Sequence, residues 1–204
     1  AKECIEELKD EVVLSVAHTM ADYEQAKEAF EHGVHHVTHL YNAMAGLSHR
    51  KPGVVGAAAD DEHVEAEMIC DGVHIHPATV RQTFKMFGDD RIIMISDSME
   101  ATGMPDGDYA LGGQKVIKKG HLATLTDGTI AGSATNLMDC VRVVVQKMQI
   151  PLESAVKCAA VNSAKSVGIY ERYGSITPGK MANLVLLKEE DLSTVQVILK
   201  GKKL

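Results

Sequence analysis

Four short apolar runs in the first half of this chain each lead to a His or an Asp and then to a turn. Residues 12–17 (VVLSVA) stop at His18, and residues 34–39 (VHHVTH) end on His39 before the polar turn LYNAM. Residues 64–70 lead through DGVH to His74, and residues 91–95 (RIIMI) lead into SDS around Asp97. Runs this apolar and β-branched are how strands buried on both faces read. Helical patterns lie between them. Residues 22–32 carry Tyr23, Ala26, Ala29 and Phe30 on one face with Gly33 as a stop, and Pro77 opens a helix to about Phe87. Strand–helix alternation favours parallel pairing, which puts all four closing residues at one end of neighbouring strands. That end is where α/β barrels carry their chemistry. Singly, each residue has an ordinary explanation: a satisfied His capping a core strand, or an Asp in a helix cap or Asx turn. Four in phase point to a shared site. Within it, Asp97 is expected to be a buried charge that must be paired or ligated.

With 204 residues, 45% of them apolar and 24% charged, the chain is globular rather than disordered. A net charge of −7 without a basic stripe argues against nucleic acid. The four cysteines are far apart and form no CxxC, which suits reduced thiols in a cytoplasmic protein. There is no apolar run near 18 residues, so no membrane span is expected. The chain opens without Met on AKECIEELKD, which reads as the back half of a helix in a larger protein.

The loop AGLSHRKPG (residues 45–53) is basic, and it is either a solvated turn or a phosphate-binding loop led by Arg50. After Asp97 come a Gly-rich loop, short strands over residues 115–126, and the small-residue turn IAGSAT (residues 130–135). That turn either lets backbone approach a ligand or simply lets Ser133 cap the next helix. Helices are expected over residues 137–148 and 152–168, then strands at 182–187 and 195–199.

AHT at His18, THLYNAM, HRKPG, DGVH, SDS and GTIAGS, with the tail GSITPGKMANLVLL, resemble the amidohydrolase superfamily. Within it they are similar to the N-acetylglucosamine-6-phosphate deacetylase family, and the resemblance spans essentially the whole chain. It implies an α/β fold: the C-terminal half of a (β/α)8 metal-dependent hydrolase barrel plus part of a small β-sandwich domain. Residues 1–135 would carry barrel strands five to eight, residues 136–172 the last barrel helices, and residues 173–204 the β-sandwich portion. His18 and His39 match metal ligands, Asp97 the catalytic carboxylate, and His74 a substrate-orienting imidazole. Asn42 and Ala43, with Ile130, Ala131, Gly132 and Ser133, match positions that hold a sugar phosphate. Arg50 matches an Arg that reaches the phosphate across a subunit interface.

The resemblance further implies a divalent cation, zinc or iron, and an amino-sugar phosphate substrate. It also implies an acidic metal ligand from an earlier strand that this sequence does not contain. Asp97 would act as general base and then return a proton to the amine, while His74 and the metal stabilise the oxyanion. A deaminase or cyclic amidase of the same superfamily, or a non-catalytic barrel fragment, are the competing readings. Half a barrel exposes strand edges, so a homodimer or higher oligomer, or pairing with the missing N-terminal half, is expected.

Overall fold

The computed structural model describes residues 2–204, and its first half alternates short parallel strands with helices. Helix α1 (Lys2–Leu8) precedes strand β1 (Ser15–Val16); α2 (Tyr23–Glu31), β2 (His36–Val37), α3 (Gly53–Asp60) and β3 (Glu65–Ile69) follow. Helix α4 (Pro77–Phe87) and β4 (Ile92–Ile95) complete the series. The strands pair in chain order, all parallel, with Ser15 beside His36, His36 beside Glu65 and Ala66 beside Ile92. Four successive parallel units are half of what a (β/α)8 barrel contains.

Local chemistry sets the helix ends. Asp22 accepts a hydrogen bond from the Gln25 backbone N–H at 2.9 Å while the Gln25 side chain accepts from the Asp22 N–H at 3.0 Å, a reciprocal cap. Pro77 supplies the first turn of α4, whose N-cap is the His76 ring. Val37, Ala66, Met68, Ile92 and Met94 pool with Phe30, Val54, Ala58 and Val80 in one core. Each large side chain so buried contributes about 1.5–3 kcal/mol relative to exposure, which is what stabilises strands as short as β1 and β2. In α3, a Cβ on Gly56 would lie 2.3 Å from Pro52 Cβ, so no larger residue fits there.

Arg91 locks the helices to the sheet. Its guanidinium donates to the carbonyls of Ala58, Ala59, Asp61, Val64 and Phe87 at 2.7–3.3 Å, beyond or at the ends of α3 and α4. These include carbonyls that a helix C-terminus leaves without partners.

A second sheet follows β4: β5 (Gly107–Leu111), β6 (Gln114–Lys119), β7 (Leu122–Leu125) and β8 (Ile130–Ser133), an antiparallel meander. It closes a small core of Met99, Ala101, Val116, Ala123 and Ala134. Residues 130–133 are therefore a strand, not the turn expected from their small side chains. The following helix, α5 (Leu137–Gln146), is capped by Asn136 rather than Ser133. The chain continues through α6 (Leu152–Val156), a π-helical turn at Lys157–Val161 and α7 (Asn162–Ser166). Buried Asn162, just past the π turn, donates to the carbonyls of Asp89 and Ile92 at the entrance to β4. The last residues form a three-stranded antiparallel sheet, β9 (Leu184–Leu187), β10 (Thr194–Leu199) and β11 (Lys202–Lys203). No helix among the described residues is long and apolar enough to cross a membrane.

The cysteines report on the core. Cys4 is exposed, whereas Cys70, Cys140 and Cys158 are buried. Burial pushes the Cys140 thiol up to about 11 and the Cys158 thiol to about 12, with Cys70 also well above the ordinary range. An aromatic disulfide reagent at pH 8 is expected to label one thiol per native chain and four after denaturation. Rapid labelling of two or more in the native state would show that the core opens.

Candidate active site

Three of the residues singled out from the sequence share a backbone signature. His18, His39 and Asp97 have φ of 44°, 34° and 50°, and each is the second residue beyond its strand, β1, β2 or β4. A non-glycine residue in the left-handed region costs about 1–3 kcal/mol and persists where the surroundings over-determine it, which is characteristic of functional sites. The conformation also ends the extended run early, so β1 and β2 are shorter than their apolar patterns suggest.

This turn brings two imidazoles together. The Nε2 atoms of His18 and His39 lie 2.8 Å apart, with ring planes at 69° and centroids 4.6 Å apart. His39 is buried, and its Nδ1 has no hydrogen-bond partner among the described residues. No protein group therefore sets the proton on the far side of that ring; whatever meets Nε2 sets it. Two imidazole nitrogens that face each other at this distance fit a shared divalent cation once both are unprotonated, and the pair then supplies two donors of its coordination set. Among the described residues, no group of three or more His, Cys, Asp or Glu side chains is placed to hold an ion.

The third strand end differs from expectation. The second residue beyond β3 is Asp71, so Asp71 and not His74 is in phase with the other three. Asp71 is also the buried strand-end carboxylate that the sequence suggested at Asp97; Asp97 itself is exposed. Burial pushes the Asp71 carboxyl up, but the His74 side chain and the N–H groups of His74 and Val73 outweigh it, and the net displacement is below the ordinary range. The contact to His74 Nδ1 is 2.8 Å. Sequence reasoning passed over Asp71, although an acidic residue two positions past a strand and followed by Gly was a usable signal.

Around the His18–His39 pair, Asn42 donates its amide to the carbonyls of His39 and Leu40 at 3.2 and 3.3 Å, bracing the turn. Ala43 is exposed with φ 52°. Tyr41 ties the same turn to α4 through a 2.6 Å contact with the Thr83 hydroxyl. Arg50 stands at the exposed tip of a two-residue turn closed by reciprocal Ser48 and Lys51 backbone bonds, and forms no ion pair among the described residues.

Strand β8 packs beside Asp97. The Ser133 N–H donates to the Asp97 carbonyl at 3.1 Å, and the Ser133 carbonyl accepts from Met99 N–H. Ile130, Ala131 and Gly132 lead up to that junction, and a Cβ on Gly132 would meet Met99 Cβ at 3.6 Å. The Ser133 hydroxyl is buried against the Thr135 hydroxyl at 2.5 Å, so the contribution of Ser133 to this rim is its backbone.

Comparison with known proteins gives the family. A family model described as "Amidohydrolase family" matches residues 1–204. The chain is 39% identical over 200 residues to an N-acetylglucosamine-6-phosphate deacetylase of Bacillus subtilis, covering 98% of the chain and 50% of that protein. It is 35% identical to an N-acetylgalactosamine-6-phosphate deacetylase of Escherichia coli O157:H7, covering 99% and 53%. Among solved structures, a mutant N-acetyl-D-glucosamine-6-phosphate deacetylase of Mycobacterium smegmatis, in complex with N-acetyl-D-glucosamine-6-phosphate, superposes with TM-score 0.94. It is 36% identical, and the match covers 100% of this chain and 54% of that one. The chain thus spans about half the length of the curated relatives it matches. Divalent-metal dependence is general among such enzymes, in keeping with the paired imidazoles. Matched over its whole length, with its ligand-type residues at successive strand ends, the chain belongs to the amidohydrolase family.

Proposed function

We propose that the protein hydrolyses the N-acetyl group of N-acetylglucosamine 6-phosphate, giving acetate and glucosamine 6-phosphate. The observation that carries this reading is the convergence of His18 and His39 Nε2 at the rim that also bears Asp97. Those two nitrogens would hold a divalent cation, and imidazole donors suit zinc or iron(II). Such a cation, when bound, polarises the acyl oxygen and makes water more acidic. The Asp97 carboxylate takes a proton from the attacking water as the new C–O bond forms, and gives it to the nitrogen as the C–N bond breaks. Its exposure leaves it free to meet both water and substrate.

The backbone around Asn42 and Ala43 and the junction of Ile130, Ala131, Gly132 and Ser133 would hold the sugar phosphate. Arg50, projecting from its turn, would reach the phosphate bound by a second copy in a homodimer or higher oligomer. A phosphorylated sugar does not leave the cytoplasm unaided, which is where the reaction would occur.

Purified protein would be incubated with N-acetylglucosamine 6-phosphate or its 4-epimer, N-acetylgalactosamine 6-phosphate, after chelation and then with one divalent cation restored at a time. Cation-dependent acetate release is the expected result. Ammonium release would indicate a deaminase instead, and no product from either sugar would overturn the assignment.

A further inference from the structure

We propose that Asp71 is a positioning residue that fixes His74 as a hydrogen-bond acceptor, so that the substrate group meeting His74 is a donor such as a ring hydroxyl. The choice of a sugar hydroxyl rests on the deacetylase reading; the positioning itself does not.

Both oxygens of Asp71 are committed and its side chain is fully buried. Oδ1 accepts from the Val73 and His74 backbone N–H groups at 2.8 and 3.0 Å, and Oδ2 accepts from His74 Nδ1 at 2.8 Å. An ionised carboxylate only accepts, so Nδ1 of His74 carries the proton. In the neutral ring this leaves a lone pair at Nε2. The His74 side chain is 5% exposed, and among the described residues its Nε2 has no protein partner. Among the described residues the one buried side-chain nitrogen or oxygen without a partner is His39 Nδ1, so Nε2 of His74 opens to accessible space.

The pair is also held from behind. Gly72 has φ 77°, and a Cβ there would meet Val143 Cγ1 of α5 at 3.3 Å. The turn between carboxylate and imidazole has little room to rearrange. An acceptor at Nε2 repels an acyl oxygen or a phosphate and attracts O–H. This replaces the oxyanion-stabilising role expected for His74 from family resemblance.

The test is the 15N imidazole spectrum of the histidine-labelled protein at pH 8, with His74 assigned by its disappearance in His74→Gln. The expected spectrum shows His74 protonated at Nδ1 and bare at Nε2. Asp71→Asn keeps an oxygen for the Val73 and His74 N–H groups but turns an N–H toward the ring, so the tautomer should invert to Nε2–H. With N-acetylglucosamine 6-phosphate as substrate, the same variant should lose roughly tenfold in kcat/KM, mostly through KM. A proton on Nε2 in the unsubstituted protein, or an unchanged tautomer in a folded Asp71→Asn, would overturn the proposal. The spectrum needs no turnover. Absence of acetate release with the expected tautomer would therefore defeat the deacetylase reading alone, and acetate release with the wrong tautomer would defeat this inference alone.

Discussion

Asp97→Asn should lower kcat for acetate release by about 10²–10⁴-fold while leaving substrate affinity within about threefold. The substitution is isosteric, and Asn tolerates the left-handed backbone that position 97 adopts at φ 50°. The backbone bond from Ser133 to the Asp97 carbonyl is untouched by it. What disappears is the ability to take a proton from water and hand it to the departing nitrogen. Steady-state kinetics together with calorimetric titration of the sugar phosphate separate the two effects. An Asp97→Asn protein within tenfold of the parent rate would remove Asp97 from the chemistry.

The largest effect on stability is expected far from that rim, at Arg91. Its guanidinium serves five backbone carbonyls within 3.3 Å and a sixth, of Met86, at 3.5 Å, and lies 4.7 Å over the Phe87 ring. Arg91→Ala leaves several of those carbonyls unpaired at the junction of α3, α4 and the sheet. The expected loss is on the order of 3 kcal/mol, or a fall in Tm of roughly 6–12 °C. Arg91→Lys should recover less than half of this, because one ammonium cannot replace a planar fork spanning two helix ends. Chemical denaturation of both variants would check the order. A loss below about 1 kcal/mol for Arg91→Ala would mean that water replaces the guanidinium at these carbonyls.

Much of the architecture was legible in the residues. The apolar runs leading to His18, His39 and Asp97 became β1, β2 and β4, and the helix opened by Pro77 runs to Phe87 as its pattern indicated. Misreadings arose where side-chain size was taken for conformation. Ala131, Gly132 and Ser133 look like a turn because they are small, yet they continue β8 from Ile130, and a Cβ on Gly132 would meet Met99 and Leu111 at 3.6 and 3.8 Å. His74 looked like the strand-end residue of β3 because histidine stands out. The chain places Asp71 there, three residues earlier, and buries it.

Pattern and composition by themselves determined that parallel strands would alternate with helices and would carry ligand-type side chains at one rim, since periodicity and turn chemistry act over a few residues. Only the tertiary structure decided which groups meet: Nε2 of His18 against Nε2 of His39, Asp71 beneath His74, and the guanidinium of Arg91 across two helix ends. Those contacts depend on strand register, on three left-handed residues and on burial. These are set jointly by segments tens of residues apart, and no local stretch of the chain encodes them.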